Sequence, residues 1–278
     1  MIYRSEIICL EYSQILGALT SAKIACNLVL PQKNLFNFQR YIPLEFNFTI
    51  INKIINLKLE NELILTEDLW QQIAYFNDTE MTIALFPLIV YCYKNKNKLE
   101  QELNKLFNKN QRKIYFNYIK LVEIVIFMII ENRLNRQNIF DEIHQSFASK
   151  NHFLNIAENQ LLENLVMNKL TLSEVEEELI NSPILSSANR GIYQALYSFL
   201  TMNYSWEISL QRSSQFSQQK KETTILTGLL LGLHHGYWNI PFPWRNRIKA
   251  DQENEMSKIE NLSQQLVARW QGKLDNKY

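Results

Sequence analysis

Glycine is scarce in this 278-residue chain: there are six, and half of them stand at Gly228, Gly232 and Gly236. Cysteine is scarcer still. Cys9, Cys26 and Cys92 are odd in number and far apart, and no Cys-x-x-Cys pair occurs. That pattern excludes a disulfide framework and a zinc knuckle, and it predicts a reducing, cytoplasmic location. Charge of one sign is also lacking: 29 basic and 28 acidic residues leave a net charge of +1, with no basic stripe. A dedicated nucleic-acid binder carries a basic excess, so that class is excluded. Long apolar runs are missing as well. Leu226–Leu233 is interrupted by His234 and His235, and Leu121–Ile130 contains Glu123. A bilayer needs about 20 apolar residues, so no membrane span is expected. The start, Met1-Ile-Tyr-Arg-Ser-Glu6, lacks the basic and apolar segments of a leader. There is no set of period-2 strands, no tandem repeat and no low-complexity tract.

What is present is a core. Hydrophobic residues make up 46% and aromatics 12%, which are values of a folded globule rather than of a disordered chain. The three glycines repeat every four residues and so share one face of a helix. Each costs about 1 kcal/mol of helix stability relative to alanine, so a second backbone or a ligand must approach closely there. That helix is expected to stop at Trp238-Asn-Ile-Pro-Phe-Pro243, where proline cannot continue it.

Along the chain, residues 8–30 read as a buried helix ending at Pro31, with a stripe of small residues at Gly17, Ala18, Ser21, Ala22 and Ala25. Tyr41-Ile-Pro43 reads as a turn, 46–57 as an apolar stretch, and Thr66 as the cap of another helix. A helix kinked near Pro87 is expected over 77–93, an amphipathic one over 94–113 and a buried one over 114–131. Further helices are expected at 172–179, 191–200 and 204–213, the last capped by Ser205. The acidic run Glu176-Glu-Glu178 reads as a solvated face. Beyond Pro243 the chain is charged and helix-prone, with an apolar stripe at Ile259, Leu262, Leu266 and Val267. The expected organisation is one all-α domain over 1–245, then a charged helix or tail over 246–278. That tail could instead dock on a partner's helix. Abundant asparagine, lysine and isoleucine suggest an AT-biased bacterial genome.

Three segments resemble the ADP-ribosylglycohydrolase family. Gly17-Ala-Leu-Thr-Ser-Ala22 is similar to its opening small-residue helix. Ala195-Leu-Tyr-Ser-Phe-Leu200 and Trp206-Glu-Ile-Ser-Leu210 are similar to its penultimate pair. Gly228-Leu-Leu-Leu-Gly-Leu-His-His-Gly-Tyr-Trp-Asn-Ile-Pro241 is similar to its closing glycine helix and exit, and is the most specific of the three. The resemblance covers roughly residues 10–245, with poor matches at 32–60 and 132–180. It implies a compact, orthogonal, all-α multi-helix bundle that removes ADP-ribose with a pair of magnesium ions held by carboxylates.

Those carboxylates are largely missing here. Where the family's opening helix has Gly-Asp, this chain has Ala25 and Cys26. The family's Thr-Asp-Asp-Thr run is met by Phe76-Asn77-Asp78-Thr79. Its Gly-Gly-Asp-Thr-Asp-Thr run is met by Ser217-Gln218-Gln219-Lys220-Lys221-Glu222, which puts Gln219 and Lys221 at the aspartates. An ammonium at a metal position repels a cation, and paired divalent ions need several anionic ligands. The expectation is therefore a vestigial pocket of Cys26, Asn77, Asp78, Thr79, Gln219, Lys221 and Glu222, with no metal and no cofactor. Asp78 and Glu222 are the only catalytic candidates.

Blander readings stand beside these. The small-residue helices serve packing alone on one reading. Neighbouring His234 and His235 point about 100° apart on a helix and cannot share one ion; His144 and His152 are isolated. Asp78 and Glu80 suit the dipole of a helix start. Cys26 reads as core, and Lys220 or Lys221 as a remnant anion site. The resulting expectation is a non-catalytic scaffold, regulator or ligand sensor whose partner is a protein or a nucleotide-like ligand. The alternative is a working hydrolase of ADP-ribosyl or related nucleotide conjugates, using magnesium or no metal.

Overall fold

The computed structural model describes residues 11–29, 76–93, 95–107, 109–148, 156–168, 170–251 and 253–271. The turn at 41–43, the apolar stretch 46–57, the Thr66 cap, Pro31, Cys9 and His152 lie outside them. Every regular element among the described residues is helical.

Two buried helices make the spine. Helix α1, Tyr12–Val29, buries every residue from Ile15 to Cys26. The glycine helix, Lys220–His235, buries everything from Thr223 to Leu233. They pack backbone to backbone. A Cβ added at Gly232 would stand 2.0 Å from the Gly17 carbonyl oxygen, and one at Gly228 would stand 2.7 Å from that of Ser21. The four-residue spacing therefore marks a helix–helix seam. The helix ends earlier than the prolines suggested. Gly236 stops it at φ 73° with its N–H on the Gly232 carbonyl, 2.9 Å away. Pro241 and Pro243 instead sit at the opening of the helix Phe242–Asp251, where a missing N–H costs little.

Around the spine, in chain order, stand α2 (Asp78–Tyr91), α3 (Lys96–Leu106), α4 (Lys109–Ile130), α5 (Asn138–Ala148), α6 (Ile156–Met167), α7 (Leu172–Asn181), α8 (Arg190–Met202) and α9 (Trp206–Ser213). The glycine helix is α10, followed after a 3-10 turn at Tyr237–Asn239 by α11 (Phe242–Asp251) and α12 (Glu253–Trp270). Helix α2 runs through Pro87 without ending. The break expected near residue 113 lies at Phe107 instead, which turns to extended backbone (φ −108°, ψ 134°) and is buried. Helix α4 thus starts in the polar segment and carries on into the apolar one. Burying Phe107 outweighs the unbroken helical propensity of the lysine-rich segment.

Cap chemistry follows side-chain type. Asn77 and Glu80 form a reciprocal capping box at the start of α2, as do Thr171 and Glu174 at α7. Ser205 occupies the cap position of α9 but its hydroxyl makes no capping bond. Glu176 is not merely solvated: its carboxylate accepts from both the N–H and the hydroxyl of Ser217. The α12 stripe of Ile259, Leu262, Leu266 and Val267 is buried in the same apolar cluster as α1. Lys23 of α1 pairs with Glu255 of α12. No helix of the described residues is long and apolar enough to cross a membrane.

Candidate functional site

The starts of α2, α8 and α10 converge, and the sequence explains why each begins where it does. The Asn77 Oδ1 accepts from the Glu80 N–H at 2.9 Å, and the Glu80 carboxylate accepts from the Asn77 N–H at 3.1 Å. Both side chains are thereby committed to starting α2. Gln219, just before α10, adopts the left-handed region (φ 48°, ψ 28°) with its side chain turned into the junction.

Its carboxamide ties the junction together. The Oε1 accepts from the Gly191 N–H at 2.7 Å and from the Thr79 hydroxyl at 3.3 Å. The Nε2 donates to the Ser187 carbonyl. The fit depends on Gly191, where a Cβ would stand 2.3 Å from the Gln219 Oε1 and 2.7 Å from the Thr79 hydroxyl. Arg190 adds a bond from its guanidinium to the Gln218 Oε1 at 3.2 Å. An amide is required for this arrangement, because a carboxylate has no N–H to offer Ser187.

The remaining candidate residues differ in their surroundings. The Cys26 thiol is pushed up by burial, drawn down by Lys221 and Lys23, and pushed up again by Glu255 and Glu222. Glu80 is raised chiefly by burial, held down by the Asn77 N–H, raised by Glu222 and lowered by Lys221. Lys221 and Glu222 thus act through charge on both Cys26 and Glu80, and Lys23 and Glu255 act on Cys26 as well. Lys220 is exposed. Asp78 is only 5% exposed, with a carboxyl pushed up to about 6 by burial alone. Glu222 acts through charge on Glu80 and Cys26, while Asp78 acts on the Tyr118 phenol.

A two-magnesium site does not fit these residues. Magnesium needs near-octahedral oxygen ligation, and its anionic ligands must converge. Here Gln219 is fully engaged by neutral partners, Asn77 is a helix cap, and Lys221 brings an ammonium. Among the described residues no three His, Cys, Asp or Glu side chains gather in a way that could hold a metal. The described histidines are occupied elsewhere. His235 Nε2 lies 2.6 Å from the Asn203 carbonyl, the His234 and His235 rings meet edge to face at 5.0 Å, and His144 Nε2 lies 3.7 Å from Glu163.

Gly191, Ser187 and Tyr118 were not singled out from the sequence. A signal existed for Gly191, one of only six glycines, at the start of a helix. The others belong to no local motif and meet only through the fold.

No family model matches the chain, and no curated protein sequence matches it. A solved structure described as an ADP-ribosylglycohydrolase-related protein complex does match in shape. Its TM-score is 0.58 at 12% sequence identity, over 93% of this chain and 98% of that one. The chain has an all-α, multi-helix fold of the ADP-ribosylglycohydrolase type.

Proposed function

We propose that this protein is a divergent, non-catalytic relative of the ADP-ribosylglycohydrolases, serving as a scaffold, regulator or ligand sensor. One observation supports the reading above others. At the position of a family metal-binding aspartate stands Gln219, whose amide bonds Thr79, Ser187 and Gly191 at once. Chemistry that gathered cations has given way to a neutral knot that fixes three helix starts. Lys221, at the second such aspartate, brings positive charge toward the same region. The solved neighbour is described as a complex, and a place in an assembly suits a chain that keeps the fold without the carboxylates. Three widely spaced cysteines suit a reducing, cytoplasmic location.

The test is incubation of the pure protein with an ADP-ribosylated peptide and magnesium, reading released ADP-ribose. The expected result is no release above the buffer rate. Release that disappears in Asp78→Ala would overturn the proposal.

A second reading, hydrolysis of ADP-ribosyl or related nucleotide conjugates by an altered site, draws on Asp78. A carboxyl held at about 6 is suited to general acid–base work near neutral pH. Burial alone raises it, with no charge from Glu222. Calorimetry with magnesium distinguishes the two, saturable binding favouring the hydrolase and none favouring the scaffold.

A further inference from the structure

Six large apolar side chains are exposed among the described residues, and four of them gather at one end of the molecule. Tyr204 and Trp238 are each 72% exposed, Phe242 68% and Ile208 49%. They come from two segments, the start of α9 and the turn from α10 into α11, and these segments are joined twice. His235 Nε2 lies 2.6 Å from the Asn203 carbonyl oxygen, and Trp244 Nε1 donates to the Glu207 carboxylate at 3.1 Å. The Trp206 and Trp244 rings back the second join, with centroids 6.0 Å apart. Each of the four exposed side chains stands one to three residues from one of these joins, so they share one surface.

That surface is held firm. The Trp238 ring meets Tyr237 edge to face at 5.1 Å, and the Arg245 guanidinium lies 5.2 Å from the centre of the Tyr237 ring and 5.4 Å from that of Trp238. A ring braced on two sides yet left in water loses little freedom when a partner covers it. An aromatic side chain carries about 150–250 Å², so three of them mostly exposed reach the few hundred Å² that mark an interaction site. A standard interface takes about 800 Å² from each partner, so association through this face alone is weak. Charge then selects the occupant. Among the described residues Arg245 has no carboxylate partner and its Nε no acceptor, while exposed Glu207 takes only the indole N–H of Trp244. An anionic lipid surface would meet Glu207, and an acidic or a basic segment would meet one charge of its own sign. A second copy turned about a two-fold axis presents Glu207 to Arg245 and Arg245 to Glu207, the reciprocal pattern of an isologous dimer.

We propose that this face is the contact of a symmetric homodimer, in which Tyr204, Ile208, Trp238 and Phe242 are covered by the same residues of a second copy and two Arg245–Glu207 pairs form across the axis. The dimer goes beyond the functional reading above and does not depend on whether the candidate site turns over a substrate.

Sedimentation velocity of the full chain over a rising concentration series tests it, with circular dichroism to check that each variant is folded. Monomer at low micromolar and dimer at high micromolar concentration is expected, with no larger species, because an isologous contact closes on itself. Arg245→Glu puts two carboxylates face to face in each pair and Glu207→Arg two guanidiniums, so each variant alone should associate at least about tenfold more weakly. An equimolar mixture of the two restores opposite charges in both pairs and should dimerise where neither does alone, a rescue that damage to the fold cannot produce. If either charge variant does not fold, Trp238→Ser decides: its ring is exposed, and losing it should weaken the dimer at least about tenfold. A chain that stays monomeric throughout, species that keep growing past the dimer, folded charge variants whose mixture does not associate, or a dimer untouched by Trp238→Ser would each overturn the proposal. So would a monomer that instead sediments with phosphatidylserine vesicles, which would give the face to a lipid surface.

Discussion

At the scale of single residues, the α1–α10 seam and the carboxyl of Asp78 make the sharpest demands. Gly232→Ala would place a methyl carbon 2.0 Å from the Gly17 carbonyl oxygen, and a backbone cannot move aside as a flexible side chain can. The helices must separate, so urea unfolding should show a loss of about 3 kcal/mol or more. Gly236→Ala is a different experiment. Its φ of 73° and ψ of 168° lie in a region almost reserved for glycine, so the loss, about 1–3 kcal/mol, comes from backbone strain. Asp78 links residue to pH. Burial raises its carboxyl from 3.8 to about 6, so the folded chain holds a proton that the unfolded chain releases. Its contribution is therefore full below about pH 4, falls as pH rises, and is lost above about pH 6. Glu158, also raised by burial, pulls in the same direction. Asp78→Asn should flatten part of that slope and stabilise the protein at pH 7.5 by about 2 kcal/mol, after allowance for its residual water contact. Equal urea midpoints for the two proteins at pH 5 and at pH 7.5 would contradict this.

At the scale of elements, α12 is the informative case. Charge along its sequence suggested a solvated appendage, yet its apolar stripe was legible, and that stripe decides where it packs. Ile259 is 2% exposed, and Met256, Leu262 and Leu266 are buried beside it. The Lys23–Glu255 pair joins α12 to α1, with the lysine side chain 8% exposed. Ile259→Ala should therefore cost about 2–4 kcal/mol in urea unfolding, the range of a core truncation, rather than the few tenths of a surface change. A midpoint unmoved by that substitution would mean that α12 rests on the surface. The α3–α4 boundary shows the opposite limit of a sequence reading. Composition changes near residue 113, from polar to apolar, but the backbone breaks at Phe107 because burying that ring matters more than where lysines stop. Composition reports exposure along a helix; it does not report where the helix is cut. Ser205 shows a related limit: residue type and position marked a cap, and only geometry reveals that its hydroxyl makes no capping bond.

At the scale of the whole molecule, the fold was legible because its seam is written in glycine, the residue type this chain uses least. The three glycines and the small residues of α1 describe the same contact from its two sides. The site was legible only in part. Gln219, Lys221 and Glu222 were picked out by counting back from Gly228, and Asn77, Asp78 and Thr79 by the likeness of 76–79 to the family's Thr-Asp-Asp-Thr run. That Gln219 bonds Thr79 could not be read in the same way, since it depends on which way α2 presents that hydroxyl. Ser187 and Tyr118 come from separate segments, and no spacing rule joins them to the rest. The presence of Gln219 and Lys221 at the start of α10 has a consequence for the molecule as a unit. A ligand that binds the folded state alone stabilises it by RT ln(1 + [L]/Kd), about 2.7 kcal/mol at a hundredfold excess over Kd. In a domain of this size that would raise Tm by roughly 5–10 °C. A chain that relied on paired magnesium ions should show such a rise in millimolar magnesium and lose it to a chelator. Here the knot at Gln219 already joins the starts of α2, α8 and α10 through neutral hydrogen bonds, which do not respond to cation concentration. The melting temperature should therefore differ by less than about 1 °C between millimolar magnesium and excess chelator. Gln219→Ala should lower it in both conditions alike, because what it removes is the knot. A rise of several degrees on adding magnesium, abolished in Asp78→Asn, would show that the acidic residues still gather a cation.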